Sequence, residues 1–228
     1  MQKRIIFYLS FSAVFLAIFC FHVFYLLPQN MNPGSFLLSA INSACAPKSD
    51  KLIRINLYNK SLVMIEKGQL KKLDKIAAAG NPKYSPTPTG NFKVLTKSKR
   101  IISSLSGLVM PLSLRIKGPY FLHGIPTTKD GRIYSSEYSS GCIRLGPGLD
   151  QEIYDWADIG TRVEIYNSSL VKAPNKDAVY YLRPDGTKEP IASPEEFLSR
   201  GFKWKDVKAI HSAELDAFPL AESTAVEI

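Results

Sequence analysis

With 228 residues, 45% of them apolar and 21% charged, the chain suits one full catalytic domain with appendages and is too short for two large domains. The same composition excludes wholesale disorder and collagen-like repeats, and three cysteines exclude a disulfide scaffold. A net charge of +9 leaves nucleic acid, a membrane surface or an acidic polymer as partner classes.

Residues 5–27 form a run of 23 side chains without Asp, Glu, Lys or Arg. As a helix it measures about 35 Å at 1.5 Å per residue, enough to cross a hydrocarbon core of about 30 Å. Lys3 and Arg4 precede the run and residues 28–47 carry no charge, so the positive-inside rule keeps the N-terminus cytoplasmic and sends the rest outside. The alternative is a cleaved signal peptide, whose apolar region is about 7–15 residues long and ends near a small-residue cleavage site. Here the run is longer, and the first such site, Ala44-Cys45-Ala46, lies well beyond its end. The expectation is an uncleaved single-pass anchor over residues 1–28, with Cys20 inside it and a Pro- and Asn-bearing linker over 29–50.

From Lys51 the pattern turns to strand. Ile53, Ile55 and Leu57 alternate with polar residues, Asn59-Lys60 makes a turn into 62–66, and Lys67-Gly68-Gln69 makes another before 70–79. Residues 91–96, 120–123 and 162–166 are further strands, and 150–157, with Ile153 and Trp156 on one face, is the single helix before residue 160. The expected fold is mainly β, a compact sandwich or barrel over 51–167. A small α+β unit follows at 175–228. Its hairpin turns at Pro184-Asp185-Gly186, and Ser193-Pro194-Glu195-Glu196 starts a capped helix that Gly201 ends. About 50 residues bury little apolar surface alone, so this unit is expected to dock on the main domain through Phe202 and Trp204.

Charge is segregated along the chain. Residues 51–120 contain 14 Lys or Arg against Glu66 and Asp74, whereas later segments are mildly acidic. No RNP, zinc-finger or helix-turn-helix pattern is present, so nucleic acid is excluded and the basic stretch reads either as a solubilising face or as attraction to an anionic wall. The three histidines, at 22, 123 and 211, are scattered and form no ligand set, so neither metal nor other cofactor is expected.

The chemistry lies in two segments, Tyr120-Phe121-Leu122-His123-Gly124 and Ser139-Ser140-Gly141-Cys142-Ile143-Arg144-Leu145. A histidine in contact with a cysteine can take its proton and yield the thiolate nucleophile of acyl-transfer enzymes. Glycine beside the cysteine allows close backbone approach, and the N–H groups around Gly141 and Cys142 are candidates to face an oxyanion. Alone, a cysteine and a histidine also fit core packing. Read with their surroundings they resemble the L,D-transpeptidase (YkuD-like) catalytic domain, whose hallmark is a His-Gly or His-Ser pair followed by Ser-x-Gly-Cys-[IV]-Arg-[LM]. Thr87-Pro88-Thr89-Gly90-Asn91-Phe92 upstream and Ile159-Gly160-Thr161-Arg162-Val163 downstream match two more landmarks of that family in the same order. The resemblance covers about residues 51–166. Ser140 departs from it, standing where the family often has histidine or another polar residue.

The resemblance implies Cys142 as nucleophile, His123 as general base, and the Gly124 carbonyl as the group that orients the imidazole. Ser139, Ser140, Gly141, Arg144 and Phe121 are expected around oxyanion and substrate. For Arg144 the readings are a carboxylate holder, a loop brace or a structural salt bridge; for Phe121, groove lining or core packing. It further implies peptidoglycan stem peptides as donor and acceptor: attack before the terminal D-alanine, a thioester, and transfer to an amine in a 3→3 cross-link, with carbapenem β-lactams as covalent inhibitors. A carboxypeptidase or endopeptidase using water, and a non-catalytic wall-binding protein, are the alternatives.

Overall fold

The structure, a computed structural model, describes residues 50–222. The expected anchor at 1–28, nearly all of the linker, Cys20 and Cys45 lie outside the described residues, among which no helix is long and apolar enough to cross a membrane. Lys48–Ile228 forms one compact unit.

The alternating apolar residues near the start make β1 (Lys51–Asn56), which pairs antiparallel with β2 (Ser61–Glu66), itself paired with β3 (Gln69–Lys75). On its other side β1 runs parallel to β9 (Arg162–Tyr166), Ile53 opposite Val163 and Ile55 opposite Ile165. β4 (Gly90–Lys93) completes this five-stranded sheet at the far edge of β9. A second sheet holds β5 (Thr96–Ile102), β6 (Val109–Lys117), β7 (Tyr120–His123) and β8 (Ile143–Arg144), in that order.

The core lies between the two sheets. Ile53, Ile55, Leu62 and Met64 of the first meet Leu114, Ile116, Leu122 and Ile143 of the second, and α1 (Leu149–Trp156) adds Leu149 and Ile153. Asp150 and Glu152 occupy the first turn of α1, where the helix dipole favours acidic charge. The architecture is mainly β with few helices, as the sequence pattern leads one to expect.

The C-terminal part starts earlier than its hairpin. β10 (Leu170–Lys172) is an inner strand of a sheet ordered β12–β11–β10–β13, with β11 (Val179–Leu182), β12 (Lys188–Pro190) and β13 (Lys208–Ala209). α2 (Pro194–Ser199) is capped by the Ser193 hydroxyl, which accepts from the Glu196 N–H at 3.2 Å. A further helix, α3 (Ser212–Ala217), carries Leu215 into a cluster with Tyr166, Val171, Leu182, Ile210 and Phe218, against which Leu73 of β3 packs.

The anchoring side chains are not those expected. Phe202 and Trp204 pack within the C-terminal part: the half-exposed Trp204 stacks on Phe197 at 3.9 Å and Phe202 on Tyr181 at 5.7 Å. Both find apolar partners on their own sheet and helix, which leaves the docking to other groups. Arg54 bridges Glu164 at 2.8 Å and the buried Glu214 at 2.5 Å, and Tyr166 donates its hydroxyl to Glu214. The Tyr58 and Tyr181 hydroxyls meet at 2.6 Å.

Candidate active site

β7 and β8 run parallel, with Leu122 opposite Ile143 and His123 opposite Arg144. Parallel pairing therefore brings the histidine strand and the cysteine segment side by side although 19 residues separate His123 from Cys142. The other flank of the cysteine segment is sewn to residues 77–80: Ala77 N–H donates to the Arg144 carbonyl, Arg144 N–H to that of Ala78, and Ser139 N–H to that of Ala79, each at 2.8 Å.

Two glycines permit this closeness. Gly141 has φ +108°, and a Cβ there would lie 2.5 Å from Tyr120 Cε1. A Cβ on Gly80 would fall 2.8 Å from the Gly141 Cα and 2.2 Å from the Ser85 carbonyl. The buried Thr87 hydroxyl accepts the Gly80 N–H at 2.8 Å, which ties the Thr-Pro-Thr-Gly segment to the floor of the cysteine turn.

His123 is buried at 2% exposure, and its Nδ1 meets the Gly124 carbonyl at 2.6 Å. That carbonyl requires a proton on Nδ1, so Nε2 carries the free lone pair. Burial, with a smaller contribution from the Arg144 charge, holds the imidazole down at about 4 despite the Gly124 bond. Burial also pushes the Cys142 thiol up, opposed by the Phe121 backbone and the Arg144 charge, and its Sγ lies 3.6 Å from the Pro119 carbonyl. At neutral pH the resting pair is therefore a neutral thiol and a neutral imidazole.

Cys142, His123, Phe121, Ser139, Ser140 and Arg144 all line one groove of about 490 Å³. Within it the roles expected of Ser139 and Gly141 change. The Ser139 hydroxyl donates to the Cys142 carbonyl and accepts the Gly141 N–H at 3.0 Å, so both groups are used inside the turn. Among the described residues the Cys142 and Ser140 N–H groups make no hydrogen bond, and they are the donors left to the groove. Ser140 is exposed and Phe121 half-buried.

Arg144 is 6% exposed and has no ion-pair partner among the described residues, which removes the structural salt bridge. Its Nη1 donates to the Ser136 carbonyl and hydroxyl at 3.1 and 2.8 Å, its guanidinium lies over the Tyr134 ring, and its Nε is unpartnered. It braces the loop before the cysteine and leaves its Nε unused.

Sequence reasoning missed the opposite wall, formed by Ile101, Ile102 and the 103–108 turn between β5 and β6. Strand alternation was obscured there by Lys97, Lys99 and Arg100, although the Ser- and Gly-rich turn was a usable signal. Among the described residues no His, Cys, Asp and Glu cluster could hold a metal ion.

Residues 50–165, half of the chain, match the model of the YkuD L,D-transpeptidase catalytic domain. Similar solved structures include an L,D-transpeptidase from Stackebrandtia nassauensis (23% identity over 53% of this chain and 56% of that one, TM-score 0.44). Another is the L,D-transpeptidase from Xylanimonas cellulosilytica (24%, 57% and 68%, TM-score 0.42). A third is L,D-transpeptidase 3 from Mycobacterium tuberculosis, in complex with a faropenem-derived adduct (20%, 52% and 60%, TM-score 0.41). The chain thus spans less than two thirds of the Stackebrandtia and Mycobacterium proteins. No curated protein matches it. The match over 50–165, with the four sequence landmarks inside it, makes the chain a member of the L,D-transpeptidase (YkuD) family.

Proposed function

We propose that the protein is a cysteine-dependent peptidoglycan L,D-transpeptidase. The observation that carries this reading is the buried imidazole of His123, fixed by the Gly124 carbonyl and lining the same groove as Cys142. Nε2 takes the thiol proton as Sγ attacks the carbonyl before the terminal D-alanine of a tetrapeptide stem. The oxyanion is met by the Cys142 and Ser140 N–H groups. The imidazolium gives its proton to the departing amine as the C–N bond breaks, leaving a thioester. An amine of a second stem then attacks the thioester; its proton passes through His123 to the leaving thiolate, which restores the thiol and completes the 3→3 cross-link. No step calls for a cofactor.

Residues 5–27 support an uncleaved anchor with the groove on the outer side of the membrane, where stem peptides are found. Family membership supports carbapenem acylation of Cys142. Incubating the full chain with muropeptides and reading products by mass spectrometry tests the proposal. Dimers are expected, together with a carbapenem adduct that Cys142→Ala abolishes. Tripeptides without dimers make water the acceptor, and unchanged muropeptides without an adduct overturn the reading in favour of a wall-binding protein.

A further inference from the structure

Among the described residues neither aspartate, glutamate nor lysine lines the groove, and its two permanent cations are Arg115 and Arg144. Arg144 stands on the β8 side of His123 and is committed to the loop before the cysteine. Arg115 lies on the opposite side. On β6 it is the Cα partner of Phe121, two residues before His123 on β7, and so shares the face from which His123 and Phe121 reach the groove.

The Arg115 side chain is exposed yet held. Its Nε donates to the Gly118 carbonyl at 2.8 Å, and the next carbonyl of the same turn, Pro119, is the one that Cys142 Sγ approaches at 3.6 Å. One turn thus fixes both the guanidinium and the sulfur. The terminal Nη groups of Arg115 make no hydrogen bond among the described residues, and none of the ion pairs there includes Arg115. A guanidinium tied at Nε and open at its far edge is pre-organised to take a carboxylate with two parallel hydrogen bonds.

We propose that Arg115 holds a free carboxylate of the bound peptide on the β6 side of Cys142, so that the groove selects acidic peptides over their amidated counterparts. This rests on the reading of the groove as a peptide site. It makes Arg115 a specificity residue, distinct from the cysteine and histidine that carry the chemistry.

The test is equilibrium binding of one tetrapeptide, L-Ala-D-Glu-L-Lys-D-Ala, to the full chain carrying Cys142→Ala, with the peptide as free acid and with every carboxyl amidated. The free acid is expected to bind about tenfold more tightly, the order expected for one charge-assisted contact. Adding Arg115→Gln should remove the preference, and Arg115→Lys should retain part of it because charge remains without the fork. The proposal is overturned if the preference survives Arg115→Gln, if the parent shows none, or if neither peptide binds. Carbapenem acylation of the chain with Cys142 intact is read in parallel. An adduct without charge preference refutes Arg115 alone, whereas charge preference without an adduct refutes the cysteine chemistry and leaves the carboxylate site standing.

Discussion

His123 carries two pH signatures of opposite use. As the proposed base it must be neutral, and burial holds its imidazole at about 4, so acylation by carbapenem should stay near its neutral rate down to about pH 5 and fall as pH drops through about 4. For stability the sign follows from proton counting. The unfolded chain protonates this histidine near 6.5 and the folded chain near 4, so between those values the unfolded state binds more protons. This group's penalty is absent above about 6.5, grows as pH falls toward about 4, and is constant below. Urea midpoints across that window should decline in the parent and decline less in His123→Gln; equal slopes would refute the assignment. The motif residues made this pair readable in the sequence, because parallel neighbours of fixed type carry the pattern. The work of Ser139 and Arg144 was not readable there. A hydroxyl consumed inside a turn and a guanidinium without a carboxylate are facts of three-dimensional partners.

Among the elements, the segment before β4 is the least conspicuous and the most closely tied to the cysteine turn. Thr87→Val keeps shape and removes the acceptor, leaving the buried Gly80 N–H unpaired directly beneath Gly141. The expected cost is about 1–3 kcal/mol of stability, with a slower acylation rate because Gly80 supports the Gly141 turn. Thr87→Ser should restore both; full activity in Thr87→Val would show that the contact is incidental. Strands β1, β2 and β9 were legible because each places Ile, Leu or Val at core positions beside short turns. The β5–β6 hairpin was not: β5 is an edge strand whose Lys and Arg side chains protect an open edge and erase its apolar alternation. β13 and α3 are too short to register as periodic patterns, and both depend on tertiary partners.

For the molecule as a whole, the C-terminal part is a structural complement to the β1–β9 seam. Among the described residues none beyond Arg144 lines the groove, whereas Tyr166, Leu73 and the Arg54 guanidinium are all covered from that side. A chain ended after Ser168 would expose this apolar patch and leave Arg54 with Glu164 alone. Its melting temperature should fall by several degrees, while the fraction still folded should accept a carbapenem on Cys142. An unchanged melting temperature would mean that the docking contributes nothing.

The place of β9 also sets an order of events. Among the described residues it is the only strand that β4 pairs with, and it lies beside β1, some 110 positions earlier in the chain. During synthesis β1, β2 and β3 can meet early, but β4 has no strand to pair with in its sheet until Arg162–Tyr166 has emerged. Thr87, just before β4, accepts the Gly80 N–H, and Gly80 lies against Gly141. Long-range closure is the slow step in such topologies. The growing chain therefore completes its first sheet only after both His123 and Cys142 have emerged.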